Sequence, residues 1–270
     1  MSFKKPACVV LAVLMMTACV SCAKKAMPEP RESFDSIRDY AAWAQNVGYS
    51  SGALADEGFY GINQDRFCTG PGAPGYDSGR IVIGDSRCCQ LGIYALRAGA
   101  DQYAVFAVWG GHYTEREPFI PTDGFYSSVE ECFRAQVGAR GFCKLFFFAT
   151  VNDYDHIGDQ NGDNIAAAIA CAERLASMKC VHNGREVRPE VTVIGIEGGG
   201  SSVYLPENFN RCIESYNEAL EAAVRGSAVL ASSAARYTTV PALTGGAGFI
   251  DDGLHYDDDT LRILAEFIIE

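Results

Sequence analysis

Basic charge is what this sequence has least of. Against 34 Asp and Glu stand only 22 Lys and Arg, a formal charge of -12 over 270 residues. Without a basic stripe there is no footprint for a phosphate backbone, which argues against DNA, RNA and anionic lipid surfaces as partners. Beyond the N-terminus no apolar run approaches the roughly 20 residues of a membrane helix, and no period of 20 to 50 residues repeats, which excludes solenoids. Past residue 22 there is no Cys-x-x-Cys pair, so structural zinc is not indicated. Charge is also too dilute, at 21%, for intrinsic disorder, while 48% apolar residues are enough for a large buried core.

What the chain does have is cysteine. Eleven is high for a reducing compartment and odd for a fully paired secreted protein. The N-terminus bears on this. Lys4 and Lys5 precede an apolar stretch from Ala7 to about Ala18, and small residues follow in Thr17-Ala18-Cys19-Val20-Ser21-Cys22-Ala23. A basic start, a short apolar run and a small-residue exit make a secretory leader over residues 1–22. Met16-Thr17-Ala18-Cys19 and Cys19-Val20-Ser21-Cys22 loosely resemble the bacterial lipobox, so Cys19 or Cys22 is read as the lipid-bearing first residue of a surface lipoprotein. Ordinary cleavage around Ser21-Cys22-Ala23, giving a secreted protein, is the alternative. Either way the chain is expected to be exported.

Eight cysteines remain: Cys68, Cys88, Cys89, Cys132, Cys143, Cys171, Cys180 and Cys212. An exported chain allows them four disulfides. Cys171 and Cys180 on one straight helix would lie about 13.5 Å apart, beyond the roughly 7 Å that a disulfide spans, so they pair only if the helix ends between them. Cys132 with Cys143, and Cys88 or Cys89 with Cys68, are the other candidates. Otherwise the thiols stay reduced as small buried apolar groups.

Residues 23–79 read as a tether, a helix with Phe34, Ile37, Tyr40, Ala41, Trp43 and Ala44 on one face behind a Ser33 or Asp35 cap, and a Gly/Pro-rich loop over 68–79. The main domain is expected over 80–270. There, strand-like runs at 80–84, 102–108, 144–149 and 191–196, with a weaker one near 237–240, alternate with helical patterns at 89–98, 127–137, 164–178, 207–224 and 259–269. Continuous apolar strands separated by helices predict an α/β fold, a three-layer α/β/α sandwich around a parallel sheet. In such sheets ligands sit beyond the carboxyl ends of the strands.

Chemistry-bearing residues stand at those ends. After the first strand comes Gly84-Asp85-Ser86-Arg87, a serine on a strand-to-helix turn with its amide at a helix N-terminus, where partial positive charge favours an oxyanion. The second strand ends in Trp109-Gly110-Gly111-His112, the third in Thr150-Val151-Asn152-Asp153, and Asp251-Asp252-Gly253-Leu254-His255-Tyr256 precedes the last helix.

This set resembles the SGNH (GDSL-type) hydrolase family over residues 80–270. Gly84-Asp85-Ser86 matches the nucleophile block, Gly111 or else Gly110 the second-block glycine, Asn152 the third-block asparagine, and Asp252-x-x-His255 the last block. The sequence departs from the pattern at Thr150, where a glycine is usual, and in Gly110-Gly111-His112, where a threonine-containing loop is often seen. The resemblance implies a flavodoxin-like sheet of about five strands and a Ser86–His255–Asp252 triad, with an oxyanion hole from the Ser86 and Gly111 amides and the Asn152 side chain. It implies no cofactor and no metal. The function implied is a serine esterase acting on acetyl or short acyl esters of a small molecule or carbohydrate. An acyltransferase of the same fold and a catalytically silent surface binding lipoprotein are the alternatives. No protein partner is implied.

Four further features carry expectations. Arg87 either binds a substrate carboxylate or pairs with a nearby acid. His112, beside the glycines, lines the cleft or touches substrate, as Gly110 also would. Asp153, Asp155, Asp159, Asn161, Asp163 and Asn164 superficially resemble a calcium loop but lack its turn glycine and closing glutamate, so an acidic cap on the following helix is expected instead. Gly198-Gly199-Gly200 lacks the lysine of a phosphate loop and is read as a flexible rim.

Overall fold

The structure is a computed structural model that describes residues 66–270 except 74, 99–101, 117, 157–160 and 201–207. The predicted leader, lipidated Cys19 or Cys22, tether and helix over 33–44 lie outside the described residues.

The strand and helix signals resolve into one layered unit. The strands are β1 (Arg66–Cys68), β2 (Arg80–Gly84), β3 (Ala104–Val108), β4 (Lys144–Phe148), β5 (Cys180–His182), β6 (Arg185–Val187), β7 (Glu190–Gly195) and β8 (Arg236–Thr239). The helices are α1 (Ser86–Arg97), α2 (Asp123–Arg140), α3 (Asn161–Ala176), α4 (Phe209–Gly226), α5 (Ala228–Ser232), α6 (Val240–Thr244) and α7 (Asp258–Ile269), with a 3-10 turn at Val151–His156. The main sheet has six strands in the order β1-β3-β2-β4-β7-β8. Five are parallel, as expected, and the sixth, β1, runs antiparallel along the outer edge of β3. Three residues are too short a run to show a strand period, which is why β1 was read as part of the loop.

Alternation along each strand divides the core. Ile81, Ile83, Phe106, Leu145, Phe147 and Val193 face the layer of α2, α3 and α4, where Val129, Phe133, Ala168, Ile213, Tyr216 and Leu220 meet them. Val82, Val105, Phe146, Phe148 and Ile194 face the other layer, where Leu91 and Tyr94 of α1 and Leu261, Leu264 and Ile268 of α7 close over them. Each such fully buried side chain contributes roughly 1.5–3 kcal/mol of transfer free energy. The architecture is the expected α/β/α sandwich.

One polar device and one steric one anchor the central strand. Gln136, fully buried on α2, accepts from the amides of Gly79 and Arg80 and donates to the carbonyls of Gly75 (3.2 Å) and Arg80 (3.1 Å). It thereby satisfies backbone groups of the Gly-rich loop that feeds β2. At the other end, a β-carbon on Gly84 would stand 2.4 Å from Cys88 Sγ, so the glycine lets the turn into α1 close.

The β5–β6 hairpin was missed. Its turn residues Asn183 and Gly184 both have positive φ, 51° and 75°, the pattern of a two-residue hairpin turn. No disulfide joins the eight cysteines of the described residues, so the pairings of Cys132 with Cys143 and of Cys68 with its neighbours are not formed. Five of the thiols are instead packed into the core: Cys88, Cys89, Cys132, Cys143 and Cys171. No helix of the described residues is long and apolar enough to cross a membrane.

Candidate active site

Everything in the cleft starts from Asp85. It caps α1 through Oδ1, which accepts from the amide of Arg87 at 3.0 Å, and this places Ser86 as the first helical residue. Its Oδ2 accepts from the amide of Val151 (2.9 Å) and lies 3.0 Å from Thr150 Oγ1 and 3.4 Å from Asn152 Nδ2. A single, almost fully buried carboxylate thus joins the turn after β2 to the turn after β4. The amide of Ser86 has no acceptor among the described residues, as expected for the first turn of a helix.

The loop before α7 brings the remaining partners. Asp252 Oδ1 accepts from the amides of Leu254 (2.8 Å) and His255 (2.9 Å), and Gly253, at φ 68°, makes the turn that this requires. The same carboxylate reaches the ring: Asp252 Oδ2 lies 2.5 Å from His255 Nδ1, and His255 Nε2 lies 3.0 Å from Ser86 Oγ. Burial raises the Asp252 carboxyl, but the hydrogen bonds from the His255 ring and backbone outweigh it and hold the group down at about 2. One face of His255 is stacked on Trp109, with centroids 5.4 Å apart and planes 16° apart. Ser86, His255 and Asp252 are therefore brought into one hydrogen-bonded line.

The helix that carries the serine also holds the loop that carries the histidine. Gln90, one turn after Ser86, donates to the carbonyl of Tyr256 (3.2 Å) and accepts from its amide (3.0 Å). Arg87 is buried, and its guanidinium donates to the carbonyls of Leu254 (2.9 Å) and Glu197 (2.9 Å) and lies over the ring of Tyr256 at 4.7 Å. The partners that Arg87 has here are neither a substrate carboxylate nor an acid but backbone carbonyls and the Tyr256 hydroxyl.

The two glycines at the end of β3 differ in what their amides meet. The amide of Gly111 donates to the carbonyl of Val108 at 3.0 Å, and a β-carbon on Gly111 would strike Ile120 and Val108. Gly111 faces inward, and its carbonyl lies 3.2 Å from Asn152 Nδ2 and 2.7 Å from Thr150 Oγ1. Gly110 has φ 67°, and its amide has no acceptor among the described residues. The two glycines are indistinguishable in sequence, and only the turn shows which amide is engaged. Thr150, the departure from the family pattern, uses its hydroxyl to bridge this loop and Asp85.

His112 lies 3.2 Å through Nδ1 from Oδ1 of Asp153, whose side chain is fully buried. Burial pushes the Asp153 carboxyl up, against the opposing effect of the His112 hydrogen bond. Asp153 is thus turned toward the β3 loop rather than outward. The side chains of Asp155, Asp159 and Asn161 lie outside the described residues. No group of three or more His, Cys, Asp or Glu among the described residues is placed to hold a metal. The triple-glycine rim is pinned rather than loose: Gly199 exchanges hydrogen bonds with the Asn210 side chain, and the amide of Gly200 donates to Gly253 at 2.8 Å.

Sequence reading missed Gln90 as part of this site, while Trp109 and Thr150 stood in its strand-end motifs without an assigned role. No family model matches the chain, and no curated protein matches it in sequence. Solved structures do. The inhibitor-bound aryl esterase of M. Smegmatis is similar with a TM-score of 0.50 and 12% identity, over 71% of this chain and 97% of that one. The native form of that aryl esterase gives 0.49 and 13% over 70% and 96%, and a carbohydrate acetylesterase from Sinorhizobium meliloti gives 0.47 and 12% over 70% and 96%. In fold, this chain is similar to that inhibitor-bound aryl esterase.

Proposed function

We propose that the protein is a serine hydrolase that cleaves carboxylic esters, with Ser86 as nucleophile, His255 as base and Asp252 as its partner. The observation that carries this reading is His255 standing between Asp252 Oδ2 at 2.5 Å and Ser86 Oγ at 3.0 Å. His255 Nε2 takes the hydroxyl proton as Ser86 Oγ attacks the ester carbonyl, and the ionised Asp252 stabilises the imidazolium that results. The imidazolium returns the proton to the leaving alcohol. Water, deprotonated by the same nitrogen, then attacks the acyl-serine and releases the acid.

The oxyanion is assigned to the amides of Ser86 and Gly110 and to the Asn152 side chain. Gly110 replaces Gly111 in this reading because the Gly111 amide is already engaged with Val108. Asn152 Nδ2 lies 3.2 Å from the Gly111 carbonyl and 3.1 Å from Thr150 Oγ1, so its donation to the oxyanion would take the place of one of these contacts. The substrate class is a short acyl ester, acetyl first, on a small-molecule or carbohydrate alcohol, and the leader places the enzyme outside the cytoplasm, anchored or secreted.

The test is direct. Ser86→Ala should lower turnover of a nitrophenyl acetate by roughly 10^4 to 10^6, as for other serine triads, and a fluorophosphonate should label wild type at Ser86 and leave the variant unlabelled. Full esterase activity in Ser86→Ala would end the assignment. Adding an acceptor alcohol distinguishes acyl transfer from hydrolysis, and a series of acyl lengths followed by acetylated sugars narrows the substrate.

A further inference from the structure

We propose that His112 and Asp153 form a clasp that holds the two oxyanion loops in register, acting as positioning residues for the hydrolysis proposed above, on which the inference rests. Each lies one residue beyond a group of the proposed oxyanion hole or its support: His112 follows Gly110-Gly111, and Asp153 follows Asn152. The Asp153 carboxylate gathers three successive residues of the β3 loop. His112 Nδ1 lies 3.2 Å from Oδ1, the Tyr113 amide donates to Oδ2 at 3.4 Å, and the Thr114 hydroxyl donates to Oδ1 at 3.5 Å. Its backbone carbonyl accepts from Asn164 Nδ2 at 2.5 Å, which fixes the same residue to the first turn of α3.

A carboxylate with no side-chain exposure needs such partners, because burying an ion without them is costly. Among the described residues the imidazole that meets it is that of His112, itself only 14% exposed. Between the two loops, Asn152 Nδ2 lies 3.2 Å from the Gly111 carbonyl. A shift of the β3 loop relative to the β4 turn would therefore move both the Gly110 amide and the Asn152 amide. No hydrogen bond among the described residues joins either clasp residue to Ser86 or His255, so their effect on the reaction is expected through the donors and not through the base.

The test combines kinetics with amide exchange on the full chain. His112→Ala should lower kcat by about 10^2-fold with KM changed less than about twofold, since a small misplacement of a preorganised group has a cost of that order. His112→Asn, whose side-chain N–H stands near the position of Nδ1, should restore most of the rate. In an Asn152→Ala background the same His112→Ala change should have a smaller effect, because only the Gly110 amide is left to displace and coupled residues are not additive. An equal loss in both backgrounds, or a loss confined to KM, overturns the proposal.

Hydrogen–deuterium exchange tests the clasp without turnover. His112→Ala should speed exchange in residues 109–116 and 150–156 together and leave α1 unchanged, whereas acceleration in only one of the two loops overturns it. A wild type that cleaves no ester, together with this joint acceleration in His112→Ala, refutes the hydrolase reading and leaves the clasp standing. Should Asp153→Asn fail to fold, the partly exposed His112 variants carry the test.

Discussion

At the scale of the residue, Asp252 has the most measurable chemistry. Its carboxyl is held at about 2 against an ordinary value of about 3.9 in an unfolded chain. A depressed acid contributes stability that is fully present above the unfolded value and is lost as pH falls toward the folded one. The denaturation midpoint of wild type should therefore drop between about pH 4 and pH 2, and that of Asp252→Asn should drop less over the same window. The acid limb of the esterase pH profile should then report a group other than Asp252. Trp109 makes a second residue-scale case. Its indole faces the imidazole that becomes a cation during the reaction, and a desolvated cation–π contact is worth about 0.5–2 kcal/mol. Trp109→Leu should lower kcat by roughly 2- to 30-fold and Trp109→Phe by less, in steady-state assays. An unchanged kcat in Trp109→Leu would leave the stack with no role in turnover.

At the scale of the element, α1 has three functions on three faces. Its N-terminus presents Ser86, its side at Arg87 and Gln90 holds the backbone on either side of His255, and Gly92 lets Phe67 of β1 lie against it. A β-carbon on Gly92 would stand 2.7 Å from the Phe67 ring, so Gly92→Ala should destabilise the fold by about 1–3 kcal/mol in urea titrations. Arg87→Lys keeps the charge but loses the planar fork that serves two loops. It should lower kcat and thermal stability together, whereas loss of a substrate contact would change KM alone. The hairpin of β5 and β6 shows the opposite situation. Val181 in the middle of β5 is 75% exposed, and no part of the proposed chemistry depends on it.

At the scale of the whole molecule, the sheet separates two cores and the cysteines are distributed through both. Burial raises Cys88, Cys89 and Cys143 well above the usual thiol range and pushes Cys132 and Cys171 up to about 12. Thiolate is the reactive form, so alkylation of the native protein at pH 8 should proceed at the half-buried Cys180 and Cys212 long before it reaches those five. Mass spectrometry after a timed pulse, native and in urea, reads this directly. Rapid native modification of Cys88 would contradict the packing around Gly84.

How far the fold could be read from the chain follows from particular segments. Residues 80–84, 144–148 and 190–195 were legible because a parallel strand buried on both faces is continuously apolar, and Ser86, Asn152 and the Asp252-x-x-His255 pair stood out because they follow such runs. The strand at 66–68, the Asn183-Gly184 hairpin and the engaged amide of Gly111 were not, since each depends on a partner distant in sequence or on one backbone dihedral. The sequence by itself determined the layered fold class and the residue types available at each strand end, through local periodicity and punctuation. Only the tertiary structure decided that Arg87 grips backbone, that Gly110 rather than Gly111 has an unengaged amide, and that His112 meets Asp153. Those outcomes turn on which groups 40 to 170 positions apart come within hydrogen-bond distance, as at His112–Asp153 and Arg87–Leu254, and no local pattern encodes that.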